Sequence, residues 1–284
     1  MAGALVLCGT PIGNLEDASA RVAKALAAAD VIACEDTRRT RKLLGHLGVS
    51  ARELVVYNEG NERHRTRALV DRARAGDAVA LVSDAGMPGL SDPGYRLVRA
   101  CIEAGVAVEV VPGPSAVVTA LVISGLPPGR FVFEGFLPRK HGDRRRRIAE
   151  LASETRTIVL YVSPHKIVDC LEDLCAGLGD RPAALARELT KLFEDVRRGS
   201  LSELLAAART EPVRGEIVLV VGGAIGEHRS ETSSAELARR ARGLMDEGVG
   251  RREAMSEVAR AAGVPRRKVF DALLGSAEDD GGRA

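Results

Sequence analysis

Aromatic residues are scarce in this chain of 284 residues: they make up 3% of the sequence, and tryptophan is absent. Proteins that hold single-stranded nucleic acid by stacking its bases rely on aromatic side chains. The composition therefore argues against an extended base-stacking platform. Any contact with RNA would depend mainly on its shape and its phosphates.

Cysteine pairs with metal-binding spacing are also missing. The five cysteines form no C-x-x-C motif, and their odd number argues against a closed disulfide framework. They are Cys8, Cys34, Cys101, Cys170 and Cys175. We expect buried thiols, no metal site and a cytoplasmic location.

Long hydrophobic runs do not occur. No apolar stretch reaches the length of a transmembrane helix, and the N-terminus lacks the basic segment of a signal peptide. The fingerprints G-x-G-x-x-G and G-x-x-x-x-G-K-[ST] are absent as well. We therefore expect no membrane partner, no ordinary dinucleotide fold and no P-loop nucleotidase.

Positive charge is concentrated in clusters, although the formal net charge is only +2. The clusters comprise Arg38, Arg39, Arg41 and Lys42; Arg63, His64, Arg65 and Arg67; and Arg139, Lys140, His141 and Arg144–Arg147. One such cluster is usually a solvated helix face, but three together favour a polyanionic partner such as RNA.

Short apolar runs alternate with amphipathic segments up to Val111, which predicts a mostly parallel α/β sheet. The predicted strands are Leu5–Cys8, Val31–Cys34, Leu54–Tyr57, Val79–Val82 and Val106–Val111. The predicted helices between them are Ala18–Ala29, Thr37–Leu47, Glu62–Ala75 and Gly94–Ala104.

A second α/β domain is predicted to follow, with a sheet that can be mixed. Its predicted strands are Phe131–Glu134, Thr157–Val162, Ala183–Arg187 and Glu216–Val221, with a hairpin or edge strand in 192–200. Its predicted helices are Ser115–Ser124, Ile148–Ser153, Ile167–Ala176 and Leu201–Ala208. Three further helices are predicted at Ala235–Asp246, Arg251–Ala262 and Arg266–Leu274. We place the domains at 1–114, 115–228 and 229–284, with a disordered tail over 276–284.

Five loops rich in glycine, proline and polar residues follow the five strands of the first predicted sheet. They are 9–15, 35–40, 58–62, 83–95 and 112–116. Ligands of open α/β sheets bind beyond the carboxyl ends of the strands. The 83–95 loop is longer and more constrained than an ordinary connection, which indicates that it is built around a small polar ligand.

The motifs in these loops resemble those of the 16S ribosomal RNA (cytidine-2′-O)-methyltransferase family, of the tetrapyrrole-methylase-like class. The segments that carry the resemblance are Thr10–Leu15, Glu35–Thr40, Ser83–Tyr95, Pro112–Ala116, Phe133–Lys140, Ser163–His165, Arg187–Lys191 and Gly215–Val221. Gly60, Met87, Val162 and Lys166 depart from the family pattern, which weakens a catalytic role for positions 60, 87 and 162.

The resemblance implies two α/β domains with S-adenosylmethionine in the cleft between them. It implies cofactor contacts from Pro11, Ser83, Asp84, Ala85, Gly86, Gly113, Ser115, Ala116, Ser163, Glu216 and Ile217. It also implies a homodimer that methylates a cytidine ribose in the decoding region of 16S rRNA in the small ribosomal subunit. Glu188, Lys191, Glu59 and His165 are open alternatives for the group that accepts the proton, and orientation of the hydroxyl alone is another.

Contacts to RNA phosphates are expected from the exposed cations. These are Arg38, Arg39, Arg139, Lys140, Arg144, Arg145, Arg146 and Arg147. Three other functions stay open. They are a tetrapyrrole methylase, an RNA-binding factor without catalysis, and a metal phosphohydrolase that uses Asp36, Asp84 and Asp92.

Overall fold

The computed structural model describes residues 3–224, 234–262 and 264–280, with side chains described as far as residue 274. The chain divides into two compact units, Met1–Ala224 and Ile225–Ala284. Both α/β sheets belong to the first unit, so the boundary that we place at 114 stays a prediction. Within the described residues, no helix combines the length and the apolar content that crossing a membrane requires.

The first sheet is parallel throughout, as predicted. Its strands lie in the order β3-β2-β4-β1-β5. They are β1 (Ala4–Cys8), β2 (Val31–Cys34), β3 (Leu54–Val56), β4 (Ala78–Val82) and β5 (Ala107–Val111). The helices are α1 (Ala20–Ala28), α2 (Thr37–Leu47), α3 (Glu62–Arg74) and α4 (Tyr95–Glu103). All five loops predicted to follow these strands therefore start at the same edge of the sheet.

Apolar side chains cover both faces of this sheet because successive strand residues point in opposite directions. On β1, Val6 belongs to the core cluster that contains Leu26 of α1, whereas Leu5 belongs to the cluster that contains Leu97 of α4. Burial on both faces explains why the strands are continuous apolar runs rather than alternating ones.

The second sheet is mixed and lies in the order β6-β7-β10-β8-β9, with only β6 and β7 parallel. Its strands are β6 (Phe131–Phe136), β7 (Thr157–Val162), β8 (Pro182–Arg187), β9 (Asp195–Ser200) and β10 (Ile217–Val221). Its helices are α5 (Ala116–Ser124), α6 (His141–Glu150), α7 (Ile167–Leu178) and α8 (Leu201–Thr210).

Helix α6 corrects the prediction that placed a helix at Ile148–Ser153. It begins at His141 and contains the whole arginine run, of which Arg144 is buried and the other three arginines are at least partly exposed. A run of four identical charges has no apolar periodicity, so the sequence pattern could not reveal this helix.

The second unit is a bundle of α9 (Ser234–Asp246), α10 (Arg251–Ala262) and α11 (Arg266–Asp280). Its core contains Leu237, Met255, Val258 and Val269. Helix α11 continues past the predicted end at Leu274, so the tail that we expected to be disordered is helical as far as Asp280. Residues 281–284 lie outside the described residues.

Candidate active site

The loops after β1 and β4 are joined by backbone hydrogen bonds. The Thr10 N–H donates to the Gly86 carbonyl at 2.8 Å, and the Gly86 N–H donates to the Thr10 carbonyl at 3.1 Å. The Thr10 hydroxyl also donates to the Ser83 carbonyl at 3.2 Å. These bonds fix the loop after β1 against the loop after β4, and both are loops that the sequence predicts to bind a ligand.

Gly9 and Gly113 pack backbone against backbone where the loops after β1 and β5 meet. A Cβ atom on Gly113 would lie 2.6 Å from the Gly9 carbonyl oxygen, and one on Gly9 would lie 2.6 Å from the Gly113 nitrogen. Gly113 was predicted to contact the cofactor, but it is not among the residues that line the neighbouring cavities. Its contact with Gly9 instead lets the two loops approach closely.

The turn between β8 and β9 closes against the loop after β1. A Cβ atom on Gly13 would lie 2.5 Å from Cγ of Lys191 and 2.7 Å from Oγ1 of Thr190. Glu188 and Thr190 both adopt positive φ angles, 50° and 65°, which shape this turn. The two halves of the first unit thereby enclose a cleft.

Two adjoining cavities occupy this cleft. The first has a volume of about 380 Å³, within the range of small-molecule sites, and the second about 240 Å³. Ile12, Ala85 and Glu216 line both cavities and so mark the junction between them.

Most of the predicted cofactor residues line these cavities. Ala85, Gly86, Ser115, Ala116, Ser163, Glu216 and Ile217 line the first cavity, which joins both sheets. Pro11, Ser83 and Asp84 line the second cavity, together with Ala85 and Glu216. Sequence reasoning thus found the cleft but did not divide it in two.

Helix α5 begins at the wall of the first cavity. Ser115 is its N-cap residue, and Ser115 and Ala116 both line the cavity. Backbone N–H groups at a helix start carry partial positive charge and suit an anionic group such as a carboxylate.

The carboxylates of the loops after β2 and β4 interlock through the backbone. Glu35 accepts the Asp84 N–H at 3.1 Å, and Asp84 accepts the Asp36 N–H at 3.1 Å. Arg39 lies 3.5 Å from the Asp84 carboxylate. Burial raises the pKa of Glu35, and the charge of Asp84 adds to that effect.

Asp92 is a cavity residue that the sequence reasoning considered only as part of the 83–95 ligand loop and as a metal ligand. It lines the first cavity. Burial raises its pKa to about 7, and the negative charges of Glu35, Asp84 and Glu216 add to the shift. Its position in the 83–95 loop was the sequence signal that could have identified it.

The four predicted proton acceptors differ in their surroundings. Lys191 donates to Glu188 at 2.9 Å and to Glu216 at 3.0 Å, and it lines the second cavity. Burial favours its neutral form, but the bonds to both carboxylates outweigh burial and raise its pKa. The ion pairs that raise the pKa of Lys191 favour its charged form and oppose a role as proton acceptor, and that role stays a prediction.

Glu188 accepts the Glu216 N–H at 2.9 Å, a bond that lowers its pKa, and the Lys191 ammonium lowers it further. The carboxylate is thus occupied in fastening the turn to β10. Glu59 and His165 are exposed and are not among the residues lining either cavity. The structure brings neither of these two side chains to the junction.

An aromatic cluster on the second sheet forms part of the first cavity. The Tyr161 ring lies 5.1 Å from the Phe133 ring and 5.4 Å from the Phe136 ring, measured between centroids. Phe136 and Tyr161 line the cavity, and Phe136 is 61% exposed. Burial raises the pKa of Tyr161 to about 12, so its hydroxyl stays protonated. The scarcity of aromatic residues had argued against an extended platform, and sequence reasoning missed this local one.

The predicted RNA-binding cations differ in accessibility. Arg38, Arg139, Lys140, Arg145 and Arg146 are exposed, and Arg39 lines the second cavity. Arg147 is half-buried and paired with Glu134 at 2.6 Å. Arg144 is a correction, because it is buried and its Nε donates to Asp173 at 2.6 Å. Its guanidinium is therefore unavailable to RNA.

A metal phosphohydrolase gains no support from the geometry. Asp36 and Asp84 are engaged with backbone N–H groups and arginines. Across residues 3–224, 234–262 and 264–280, no group of three or more His, Cys, Asp or Glu side chains is placed to hold a metal ion.

Comparison with known proteins gives concordant results. Residues 4–205 match the tetrapyrrole (corrin/porphyrin) methylases. The ribosomal RNA small subunit methyltransferase I of Mycobacterium tuberculosis (strain CDC 1551 / Oshkosh) is 50% identical over 285 residues, covering 99% of this chain and 98% of the relative.

Solved structures of uroporphyrin-III C-methyltransferase from Thermus thermophilus share the fold. One is 25% identical with a TM-score of 0.55 and covers 79% of this chain and 96% of its own. Another, complexed with S-adenyl homocysteine, is 24% identical with a TM-score of 0.54 and covers 78% of this chain and 98% of its own. With loops, cleft and relatives in agreement, the chain belongs to the ribosomal RNA small subunit methyltransferase I family, within the tetrapyrrole methylases.

Proposed function

We propose that this protein methylates the ribose 2′-oxygen of a cytidine in 16S rRNA. As a family member, it is a ribosomal RNA small subunit methyltransferase that uses S-adenosylmethionine. The cytidine and the 2′-oxygen are the finer part of the proposal and rest on the resemblance of its motifs. The observation that carries the chemistry is the pair of cavities that meet at Ile12, Ala85 and Glu216.

The residues of the first cavity fit S-adenosylmethionine. The start of α5 at Ser115 and Ala116 suits its carboxylate, and the rings of Phe136 and Tyr161 suit its adenine. When bound, the cofactor supplies a methyl group on a positively charged sulfur. The carboxylates of Asp92 and Glu216 line the same cavity and complement that charge.

The second cavity fits the acceptor strand. Arg39, Lys42 and Lys191 line it, and cations at such a wall attract the phosphates beside a target ribose. A hydroxyl held at the junction would face the first cavity directly. Because alignment alone lowers the barrier of a two-reactant step, this arrangement supports transfer without a metal ligand set.

The exposed cations would bind the rest of the RNA. We assign Arg139, Lys140 and Arg145 to phosphates first. Arg38, Arg146 and Arg147 would contribute less, because Asp36, Asp143 and Glu134 pair with them. Such an extended basic surface suits a ribosomal substrate in the cytoplasm better than a tetrapyrrole.

A homodimer belongs to the same proposal. Helix α5 is almost entirely apolar, and Val118 and Val122 on one of its faces are 51% and 67% exposed. Val110 on the edge strand β5 is 52% exposed. Exposed apolar groups of this kind suit contact with a second copy of the chain.

Two measurements test the proposed activity. Calorimetric titration with S-adenosylhomocysteine should show binding that Asp84→Ala weakens, because Asp84 accepts the Asp36 N–H and so fixes the loop whose next two residues line the first cavity. The control Asp71→Ala, at an exposed position of α3, should leave binding unchanged. Labelled methyl transfer should then be compared for small subunits, deproteinised 16S rRNA and uroporphyrinogen. Transfer to RNA supports the proposal, whereas transfer only to uroporphyrinogen, or no cofactor binding by folded protein, contradicts it.

A further inference from the structure

The junction between the two cavities is the place where a methyl group would pass from cofactor to acceptor. A ribose hydroxyl that attacks there must lose its proton. Three carboxylates line the two cavities, and two of them are already engaged. Asp84 accepts a backbone N–H and faces Arg39, and Glu216 binds the Lys191 ammonium.

Asp92 is the third carboxylate and differs from the other two in its surroundings. It lines the first cavity beside Ser91 and Tyr161, and its electrostatic neighbours Asp84 and Glu216 line the second. Within residues 3–224, no salt bridge to Asp92 is formed, and the Ser83 side chain that faces it is neutral. Asp92 therefore combines a place in the wall of the first cavity with an unneutralised carboxylate.

We propose that Asp92 accepts the proton of the attacking ribose hydroxyl. This assignment rests on the proposed function and adds a catalytic residue to it. As the hydroxyl oxygen forms its bond to the methyl carbon, the O–H bond breaks and the proton passes to the Asp92 carboxylate. The carbon–sulfur bond breaks with its electron pair left on sulfur, so that the charges balance. Asp92 then releases the proton to water.

The groups that face Asp92 make it suitable for this role. They come from four elements: Glu35 after β2, Ser83 and Asp84 after β4, Tyr161 in β7, and Glu216 before β10. Burial first, and then the like charges, raise its pKa to about 7, against an opposing hydrogen bond from Ser83. A general base works best when its pKa is close to the working pH.

The positive charge of a cofactor bound in the first cavity would lower the pKa of Asp92 again and keep its carboxylate ionised before transfer. Once that charge has been consumed, the pKa of Asp92 returns toward its raised value, and the carboxyl holds the proton. Three other groups at the cleft do not share this pKa near neutral pH. The pKa of Lys191 is raised, that of Glu188 is lowered, and that of Tyr161 is about 12.

The test uses Asp92→Asn, which keeps the shape of the side chain, with Asp71→Asn as the matched control. Asp92→Asn should lower single-turnover methylation about 10²–10⁴-fold and abolish the inflection of the rate near neutral pH. S-adenosylhomocysteine, which lacks the sulfonium charge, should bind the variant within about threefold of wild type. Asp92→Glu should restore part of the rate.

A second readout does not depend on activity. Carbon NMR of aspartate carboxyls in the cofactor-free protein should show one group that titrates near pH 7 and disappears in Asp92→Asn. An Asp92→Asn rate within a few-fold of wild type, or the absence of that titration, overturns the assignment. If the wild-type protein transfers no methyl group to RNA, the proposed function itself fails. A slow Asp92→Asn variant beside an active wild type would support both the role of Asp92 and the proposed function.

Discussion

The backbone N–H of Asn14 donates a hydrogen bond of 3.0 Å to the hydroxyl of Thr190, a residue of the second sheet's β8–β9 turn. This bond ties the loop after β1 to the turn that carries Lys191. Lys191 in turn binds Glu216, which lines both cavities. The contact thereby fixes the wall of the cleft that the two sheets share.

Gly13→Ala should disturb this wall. The new Cβ would lie 2.8 Å from the Leu189 carbonyl oxygen as well as against Thr190 and Lys191, so the turn must shift. We expect a loss of about 1–3 kcal/mol in the free energy of unfolding and at least tenfold weaker binding of S-adenosylhomocysteine. Denaturant unfolding and calorimetry measure the two effects.

Gly45→Ala is the matched control for that variant. Gly45 is an exposed residue of α2, and a Cβ there meets nothing within 4 Å. Alanine should stabilise the helix by about 0.5–1 kcal/mol and leave cofactor binding unchanged. If Gly13→Ala behaved in the same way as Gly45→Ala, the proposed contact between loop and turn would be wrong.

Neighbouring arginines of α6 should respond differently to alanine. Arg144→Ala leaves Asp173 buried without its guanidinium partner and should cost about 3–5 kcal/mol of stability. Arg145→Ala removes an exposed cation and should change stability by no more than about 0.5 kcal/mol. It should weaken RNA binding and reduce the slope of log K against log salt by about 0.7–1. An unchanged salt slope for Arg145→Ala would remove it from the RNA surface.

Asp92→Asn should stabilise the protein in a pH-dependent way. The pKa of Asp92 is raised in the folded state, so its contribution to stability is present below the unfolded value and is lost as pH rises toward 7. The melting temperature of the variant should therefore match that of wild type near about pH 4 and exceed it near about pH 8. A difference that does not change with pH would show that Asp92 titrates normally.

Phe136→Ala tests the aromatic side of the first cavity. Because Phe136 is 61% exposed, its removal should cost little stability. Loss of one ring contact with adenine should weaken binding of S-adenosylhomocysteine by about 0.5–1.5 kcal/mol. Ile102→Ala, at a 64% exposed position of α4, is the control and should bind normally. Equal affinity of both variants would place the adenine elsewhere.

Val122→Asp tests the proposed dimer. A charge at this exposed position of α5 would be desolvated in an interface with a second copy, but it would stay hydrated in a monomer. Light scattering after gel filtration should give twice the chain mass for wild type and the chain mass for the variant. A dimeric Val122→Asp protein, or a monomeric wild type, would exclude this surface as the interface.

The sequence was sufficient for the sheet and its ligand edge because strand periodicity and loop composition are local properties. It placed Asp84, Gly86 and Ser115 at the ligand edge, since each follows a predicted strand, and the family resemblance implied that these residues line a cleft. It could not place Phe136 beside Tyr161, because β6 and β7 pair across 20 residues of connecting helix and turn. Arg144 was misassigned for a similar reason. Its partner Asp173 lies 29 positions away on α7, and the run of arginines looks uniform in sequence.

The central claim is most directly tested by identifying the methylated nucleoside. Small subunits lacking the modification would be incubated with the protein and deuterium-labelled S-adenosylmethionine, and the 16S rRNA would be digested and analysed by mass spectrometry. We predict that the label appears in 2′-O-methylcytidine and disappears with the Asp92→Asn variant. Label in a base-methylated nucleoside, or in no nucleoside, would contradict the account.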